Sequence, residues 1–208
     1  MSGGGTIDYF FTLLSPYAYL GHAALHEMAA RRAATVRYRP VRLMAQFAAT
    51  GGVPVGQRAP ARQRYRLLEL QRWREVRRLP LNLAPAHWPF DPELADRCVL
   101  ALVAAGKDPK DFMFAAMRAV WAEERDVADR DTVAEMLGRA GFDGGAVLEA
   151  AADPAHARTL DGNTEAAIAA DLPGVPGYVR DGEAFWGQDR LDLLEAAIAS
   201  GRPAFRAG

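Results

Sequence analysis

Apolar positions along this chain follow two periods, and the switches between them divide it into three parts. Ile7 to Leu13 and Val36 to Leu43 are runs of strand length rich in aromatic and β-branched residues. Tyr17 to Arg31, between them, has helical spacing. Strand, helix and strand in this order predict a βαβ unit, with parallel strands and a right-handed crossover. From about Met44 to Asp171 no strand signal recurs, and helices separated by turn residues are expected. Arg62 to Leu79 places Tyr65, Leu68, Trp73, Val76 and Leu79 on one helical face, with arginines mostly elsewhere. Pro92 to Ala105, ending at Gly106, is the next apolar helix. Asp111 to Glu124 follows, with Phe112, Met113, Ala116, Val120 and Trp121 on its apolar side. Thr132-Val133-Ala134-Glu135 fits a capping box, and Asp153-Pro154 fits an N-cap before a proline-started helix running towards Ala170.

After Asp171 the strand pattern returns. Gly177 to Arg180 and Glu183 to Trp186 flank Asp181-Gly182, a strong hairpin signal because a type I′ turn needs positive φ at both central residues. A final helix from Arg190 to Ser200 is expected, with Asp189 as its N-cap. The element order predicts an α/β protein, a thioredoxin-like domain interrupted by an all-helical insertion, though it also fits other α+β arrangements. The expected division is residues 1–45 with 160–208 for the core domain and 46–159 for the insertion.

Composition narrows the function. Of 208 residues half are apolar and a quarter charged, as in a soluble globular protein, and the net charge of −1 argues against nucleic acid or an anionic membrane as partner. Eight arginines between Arg58 and Arg78 are interrupted by Glu69 and Glu75 and read as a solvated helix with packed stems. No apolar run reaches the roughly 18 to 20 residues that span a bilayer, and Met1-Ser2-Gly3-Gly4-Gly5 lacks the basic and hydrophobic regions of a signal peptide. A cytoplasmic location is expected. Cys98 is the single cysteine and sits in an apolar run, so neither an intrachain disulfide nor a cysteine metal cage forms, and the thiol reads as buried and inert. His22 and His26, one helical turn apart, have no third ligand in any motif, so no metal is expected and they read as surface or boundary residues.

Two segments carry candidate chemistry. In Phe11-Thr12-Leu13-Leu14-Ser15-Pro16-Tyr17 a strand breaks into Ser-Pro, a favoured N-cap followed by the favoured first helical residue. Ser15 is expected at a helix N-terminus with its hydroxyl facing solvent or a ligand, where unpaired amides and the helix dipole favour an anion such as a thiolate by roughly 0.3–1 kcal/mol. Leu172-Pro173-Gly174-Val175-Pro176-Gly177 places a proline at a strand entrance. Base rates favour a trans bond there, and Gly174 and Gly177 allow close approach of a ligand to the Val175 backbone.

Ser15-Pro16-Tyr17, Gly174-Val175-Pro176, the stretch Phe185 to Asp192, and Ala119-Val120-Trp121-Ala122-Glu123 with Asp126-Val127 together resemble the 2-hydroxychromene-2-carboxylate isomerases. These stand with the kappa-class glutathione transferases in the DsbA-type branch of the thioredoxin superfamily. The resemblance spans nearly the whole chain. It implies that Ser15, in place of the first redox cysteine, hydrogen-bonds the glutathione thiolate, and that Ala18 replaces the second. It further implies that Val175 and Pro176 hold the cysteinyl backbone and that Asp189 and Arg190 hold the γ-glutamyl end. Pro16, Tyr17 and Arg62 complete the implied glutathione site, and His87 and Trp88 are implied as elements of the substrate pocket. Two departures stand out: the loop from Thr50 to Gly56 has no asparagine, and Arg62 stands near a position usually occupied by lysine. A third and smaller one is Gly177, where a threonine often follows the proline. The implied activity is glutathione-dependent isomerisation of an aromatic catabolite by a homodimer. The alternatives are a kappa-like transferase or peroxidase and a non-catalytic thioredoxin-fold binding protein.

Overall fold

The computed structural model describes residues 4–206; Met1, Ser2 and Gly3 of the glycine-rich start, and residues 207–208, lie outside the described residues. A four-stranded sheet forms from β1 (Thr6–Phe11), β2 (Thr35–Pro40), β3 (Gly177–Arg180) and β4 (Glu183–Trp186), in the spatial order β2-β1-β3-β4. β1 and β2 are parallel through the crossover helix α1 (Pro16–Arg31), and the other pairs are antiparallel. Asp181 (φ 51°) and Gly182 (φ 81°) both take the left-handed conformation expected of the hairpin.

Both strands of the βαβ unit end earlier than their apolar runs. Thr12 to Leu14 turn back, with the Ser15 N–H bonded to the Thr12 carbonyl at 3.1 Å. Pro40 ends β2, since its nitrogen cannot donate to a ladder. Central β1 is buried on both faces. Ile7, Tyr9 and Phe11 join Tyr178, α1 and most of the helices in one core, while Phe10 packs with Val41, Ala167 and Leu172 on the other side.

Between β2 and β3 lie α2 (Leu43–Thr50), α3 (Pro60–Arg77), α4 (Glu93–Ala104), α5 (Lys110–Glu123), α6 (Arg130–Arg139), α7 (Gly144–Ala150) and α8 (Pro154–Ala169), and α9 (Leu191–Ser200) follows β4. α5 buries Phe112, Met113, Ala116, Val120 and Trp121 as its spacing predicts. Asp153 caps α8 through the Ala155 N–H at 2.8 Å.

Four sequence expectations are corrected. Helix α6 begins at Arg130, capped by Asp129 rather than Thr132, because the Asp129 carboxylate accepts from both the backbone N–H and the hydroxyl of Thr132. Asp189 does not cap α9; it lies inside a 3-10 turn, Gln188–Arg190, and Arg190 takes the cap position without a side-chain bond. Tyr65, Leu68 and Val76 of α3 are exposed, at 57%, 48% and 65%, whereas Arg66 and Leu70 are buried. Arginine spacing on this helix made a second stripe possible, and aromatic and amide partners from distant segments decided which one turned inward. His22 is buried rather than superficial, its Nε2 lying 2.9 Å from the Lys110 carbonyl, and burial lowers its pKa to about 3. Helices α2 and α7 had no counterpart in the sequence reading.

Gly21 allows α1 to lie against the turn that holds Asp189: a Cβ there would stand 2.5 Å from the Gln188 Cβ. Gln188 is itself fixed, its side-chain oxygen accepting from Arg77 Nη2 at 2.8 Å and Nε at 3.0 Å. Gly21→Ala gains up to about 1 kcal/mol of helix propensity and incurs about 1–3 kcal/mol of overpacking. A lower urea midpoint at unchanged slope is the expected result, and an unchanged or raised midpoint would show that the turn yields.

Candidate active site

Ser15 occupies the N-cap of α1 (φ −85°, ψ 121°), with Pro16 at the first helical position. Its Oγ accepts from the Ala18 N–H at 3.3 Å, and its own proton has no acceptor among the described residues. The residue is 5% exposed. The hydroxyl is therefore recessed and shared with the helix end instead of facing open solvent, while its donor capacity remains for a ligand.

The turn before Ser15 is gripped from the helical segment. Asp96 of α4 accepts from the Thr12 hydroxyl at 2.7 Å and from the Leu13 N–H at 3.0 Å. The Trp88 indole N–H donates to the Leu14 carbonyl at 3.3 Å. Burial raises the Asp96 carboxyl to a pKa of about 7, against the pull of the two hydrogen bonds. Asp96 stands in no capping or catalytic motif of the sequence. Its signal was a carboxylate on the same helical stripe as Val99 and Leu102, where only a partnered acid is tolerated.

Tyr17, Arg62 and Val175 meet in one cavity of about 670 Å³, whose wall includes Phe47, Tyr65, Arg66 and Trp186. That volume lies within the roughly 300–1,000 Å³ usual for ligand sites. The Val175–Pro176 bond is cis. Neither the N–H nor the C=O of Val175 has a hydrogen-bond partner among the described residues, while the Pro176 carbonyl accepts from the Gly187 N–H at 2.8 Å. A Cβ on Gly174 would come within 3.2 Å of the Phe47 ring and 3.4 Å of the Trp186 indole nitrogen. Val175 thus offers an open peptide edge at the cavity wall.

Asp189 and Arg190 are exposed and paired with each other at 2.5 Å. They do not line this cavity, although Asp189 acts electrostatically on Tyr17, whose phenol pKa is raised mainly by burial. Trp88 is half-buried, with Arg66 over its ring at 5.0 Å. His87 is exposed, its Nδ1 3.8 Å from Asp126, and it does not line the cavity. Arg66 belongs to the arginine-rich stretch expected to be solvated, and the structure buries it instead. It is 8% exposed, and its Nη2 is buried without a partner.

A capping serine before a proline-started helix, a cis-proline turn whose Val175 shares a cavity wall with Tyr17 of that helix, and a mixed sheet interrupted by helices define a site of the thioredoxin fold. A family model described as the DsbA-like thioredoxin domain matches residues 6–199, and the chain belongs to that family. It is 28% identical over 195 residues to a 2-hydroxychromene-2-carboxylate isomerase of Sphingobium xenophagum, covering 93% of this chain and 97% of that protein. It is 26% identical over 211 residues to glutathione S-transferase kappa 1 of Caenorhabditis elegans, covering 95% and 92% of the two chains. A solved 2-hydroxychromene-2-carboxylate isomerase superposes with a TM-score of 0.76 at 28% identity, over 94% of this chain and 95% of that one. The resemblance carried by Ser15-Pro16-Tyr17 and Gly174-Val175-Pro176 holds over nearly the whole chain.

No dithiol exists at this site. Ser15 and Ala18 stand at the start of α1, and the single thiol, Cys98, is fully buried with its pKa pushed up to about 12. Among the described residues no helix is long and apolar enough to cross a membrane.

Proposed function

We propose that this protein is a glutathione-dependent isomerase of aromatic catabolites of the 2-hydroxychromene-2-carboxylate type. The observation that carries the reading is the open Val175 peptide in the wall of a cavity that Tyr17 also lines, two residues after a capping hydroxyl with an unused proton, on a fold without redox cysteines. These groups fit a tripeptide thiol. The Val175 N–H and C=O suit strand-like pairing with the cysteinyl backbone. Arg62, exposed at the rim, suits the glycine carboxylate as a bidentate donor. Asp189 and Arg190 suit the ammonium and carboxylate of the γ-glutamyl end, exchanging their mutual pair for those contacts.

Glutathione held by Ser15, Val175, Asp189 and Arg190 would supply a nucleophilic thiolate, the kind of group that divides one difficult rearrangement into easier steps. Ser15 donates its hydroxyl proton to the sulfur, and the first-turn amides of α1 favour the anionic form. Tyr17 and the other aromatic side chains of the wall offer apolar faces to the reacting ring. The same reading carries a cytoplasmic homodimer. It also carries a core of residues 1–45 and 160–208, with the insertion 46–159 contributing Arg62 and Trp88.

Calorimetric titration with glutathione tests the site. Binding in the micromolar to low-millimolar range is expected, weakened about tenfold or more by Asp189→Ala, since a hydrogen bond to a charged group is worth about 1.5–3 kcal/mol. Absence of binding, or chromene turnover that proceeds equally well without glutathione, would refute the reading. The kappa 1 relative favours a second reading, in which the same thiolate attacks an electrophile. Conversion of chlorodinitrobenzene or cumene hydroperoxide without isomerisation would select it.

A further inference from the structure

Arg66 is a cation that the thiol site leaves without a counter-charge. The residue is 8% exposed, its Nη2 is buried, and no hydrogen bond or ion pair to it exists among the described residues. It lies over the Trp88 ring and lines the same cavity as Arg58 and Arg62. Glu69, the only carboxylate in that wall, is held by Arg72 at 2.5 Å. Arg58 Nε is committed to the Val53 carbonyl at 2.7 Å. Burial lowers the pKa of Arg66, and the nearby charge of Arg58 lowers it further. A buried, unpaired guanidinium is costly unless an anion meets it, and its planar fork matches a carboxylate.

Glutathione brings two carboxylates, and the proposed site assigns them to Arg62 and to Arg190, with the sulfur at Ser15. Neither of these carboxylates is left for the Arg66 guanidinium. The wall also carries four aromatic side chains, Tyr17, Phe47, Tyr65 and Trp186. We propose that Arg66 is the specificity-determining residue that receives the carboxylate of an aromatic second ligand, bound in this cavity beside the thiol. The inference rests on the glutathione reading above for its count of carboxylates. Trp88 acts with Arg66 as a positioning residue, since its ring face supports the guanidinium while its indole N–H anchors the turn before Ser15.

The test uses coumarin-3-carboxylate and its neutral carboxamide as probes, titrated by fluorescence into the full chain with and without glutathione. In the wild type the carboxylate binds at least tenfold more tightly than the amide. Arg66→Met removes that preference and leaves glutathione affinity within about twofold, while Arg66→Lys, which keeps the charge without the fork, retains part of it. Circular dichroism of each variant checks folding, and the lysine variant keeps the test decisive if the methionine variant misfolds. The proposal is overturned by a carboxylate preference that survives in Arg66→Met, by absence of preference in the wild type, or by a variant that loses glutathione instead. Failure of the glutathione reading is distinct: the wild type would not bind the tripeptide, whatever it does with the coumarins.

Discussion

Replacing Ser15 by alanine lowers glutathione-dependent turnover by about 10- to 100-fold, the expected effect of removing one hydrogen bond of roughly 1.5–3 kcal/mol to a charged sulfur. The hydroxyl has a double duty, since its oxygen also caps α1 through the Ala18 N–H. Alanine therefore destabilises the protein as well, by about 0.5–2 kcal/mol. Ser15→Thr is the control, because it keeps both donor and acceptor and is expected to retain both turnover and stability. The diagnostic reading is the pKa of the bound thiol, followed by ultraviolet thiolate absorbance. It rises in the alanine variant, so that activity is lost first at the acid end of the profile. Equal turnover and an unshifted thiol pKa in Ser15→Ala would remove Ser15 from the chemistry and leave it as a cap.

The second large effect concerns Asp96, where the sign of the pH dependence is unusual for an acid. Burial raises its folded pKa to about 7, whereas an unfolded aspartate titrates near 3.9. Between those values the native state binds the extra proton, so stability falls as pH rises through the window. At about 1.36 kcal/mol per unit the loss is on the order of 4 kcal/mol. In Asp96→Asn the carbonyl still accepts from the Leu13 N–H and the amide faces a Thr12 hydroxyl free to rotate and accept, so the pH-dependent loss disappears. Urea unfolding of both proteins from pH 4.5 to 8 is expected to show the asparagine variant gaining on the wild type as pH rises. His22, held neutral by burial, contributes the opposite slope below about pH 6.5 in both proteins and cancels from the difference. Parallel curves would mean that Asp96 is ionised in the folded protein and that the Thr12 and Leu13 bonds outweigh its desolvation.

Features set by neighbours in the chain were legible without a structure. The β1–α1–β2 unit follows from local periodicity, and the hairpin at Asp181-Gly182 follows from the two positive φ angles that those residues accept. Ser15 and Asp153 announce helix starts because a capping side chain reaches an amide only two or three residues away. The same local logic misplaced the caps at Thr132 and Asp189, where a competing carboxylate or a 3-10 turn took the position.

The candidate site was legible in its residue types and only partly in its geometry. Ser15 and Val175 stand in recognisable motifs, and Tyr17 and Arg62 are implied by the family resemblance, whereas Arg66 is indistinguishable from ordinary helix charges and Asp96 shows only as a carboxylate on an apolar stripe. Asp96 meets Thr12 across 84 residues of sequence, so no periodicity within either segment encodes the contact. Likewise, α3 could turn its apolar stripe or its Arg66–Leu70 stripe inward, and the Trp88 ring and the Gln188 side chain selected the latter. Local propensity therefore determined the elements and the capping serine. Long-range packing alone decided which charges were buried, because the cost of desolvating a side chain depends on partners that the chain brings to it only when folded.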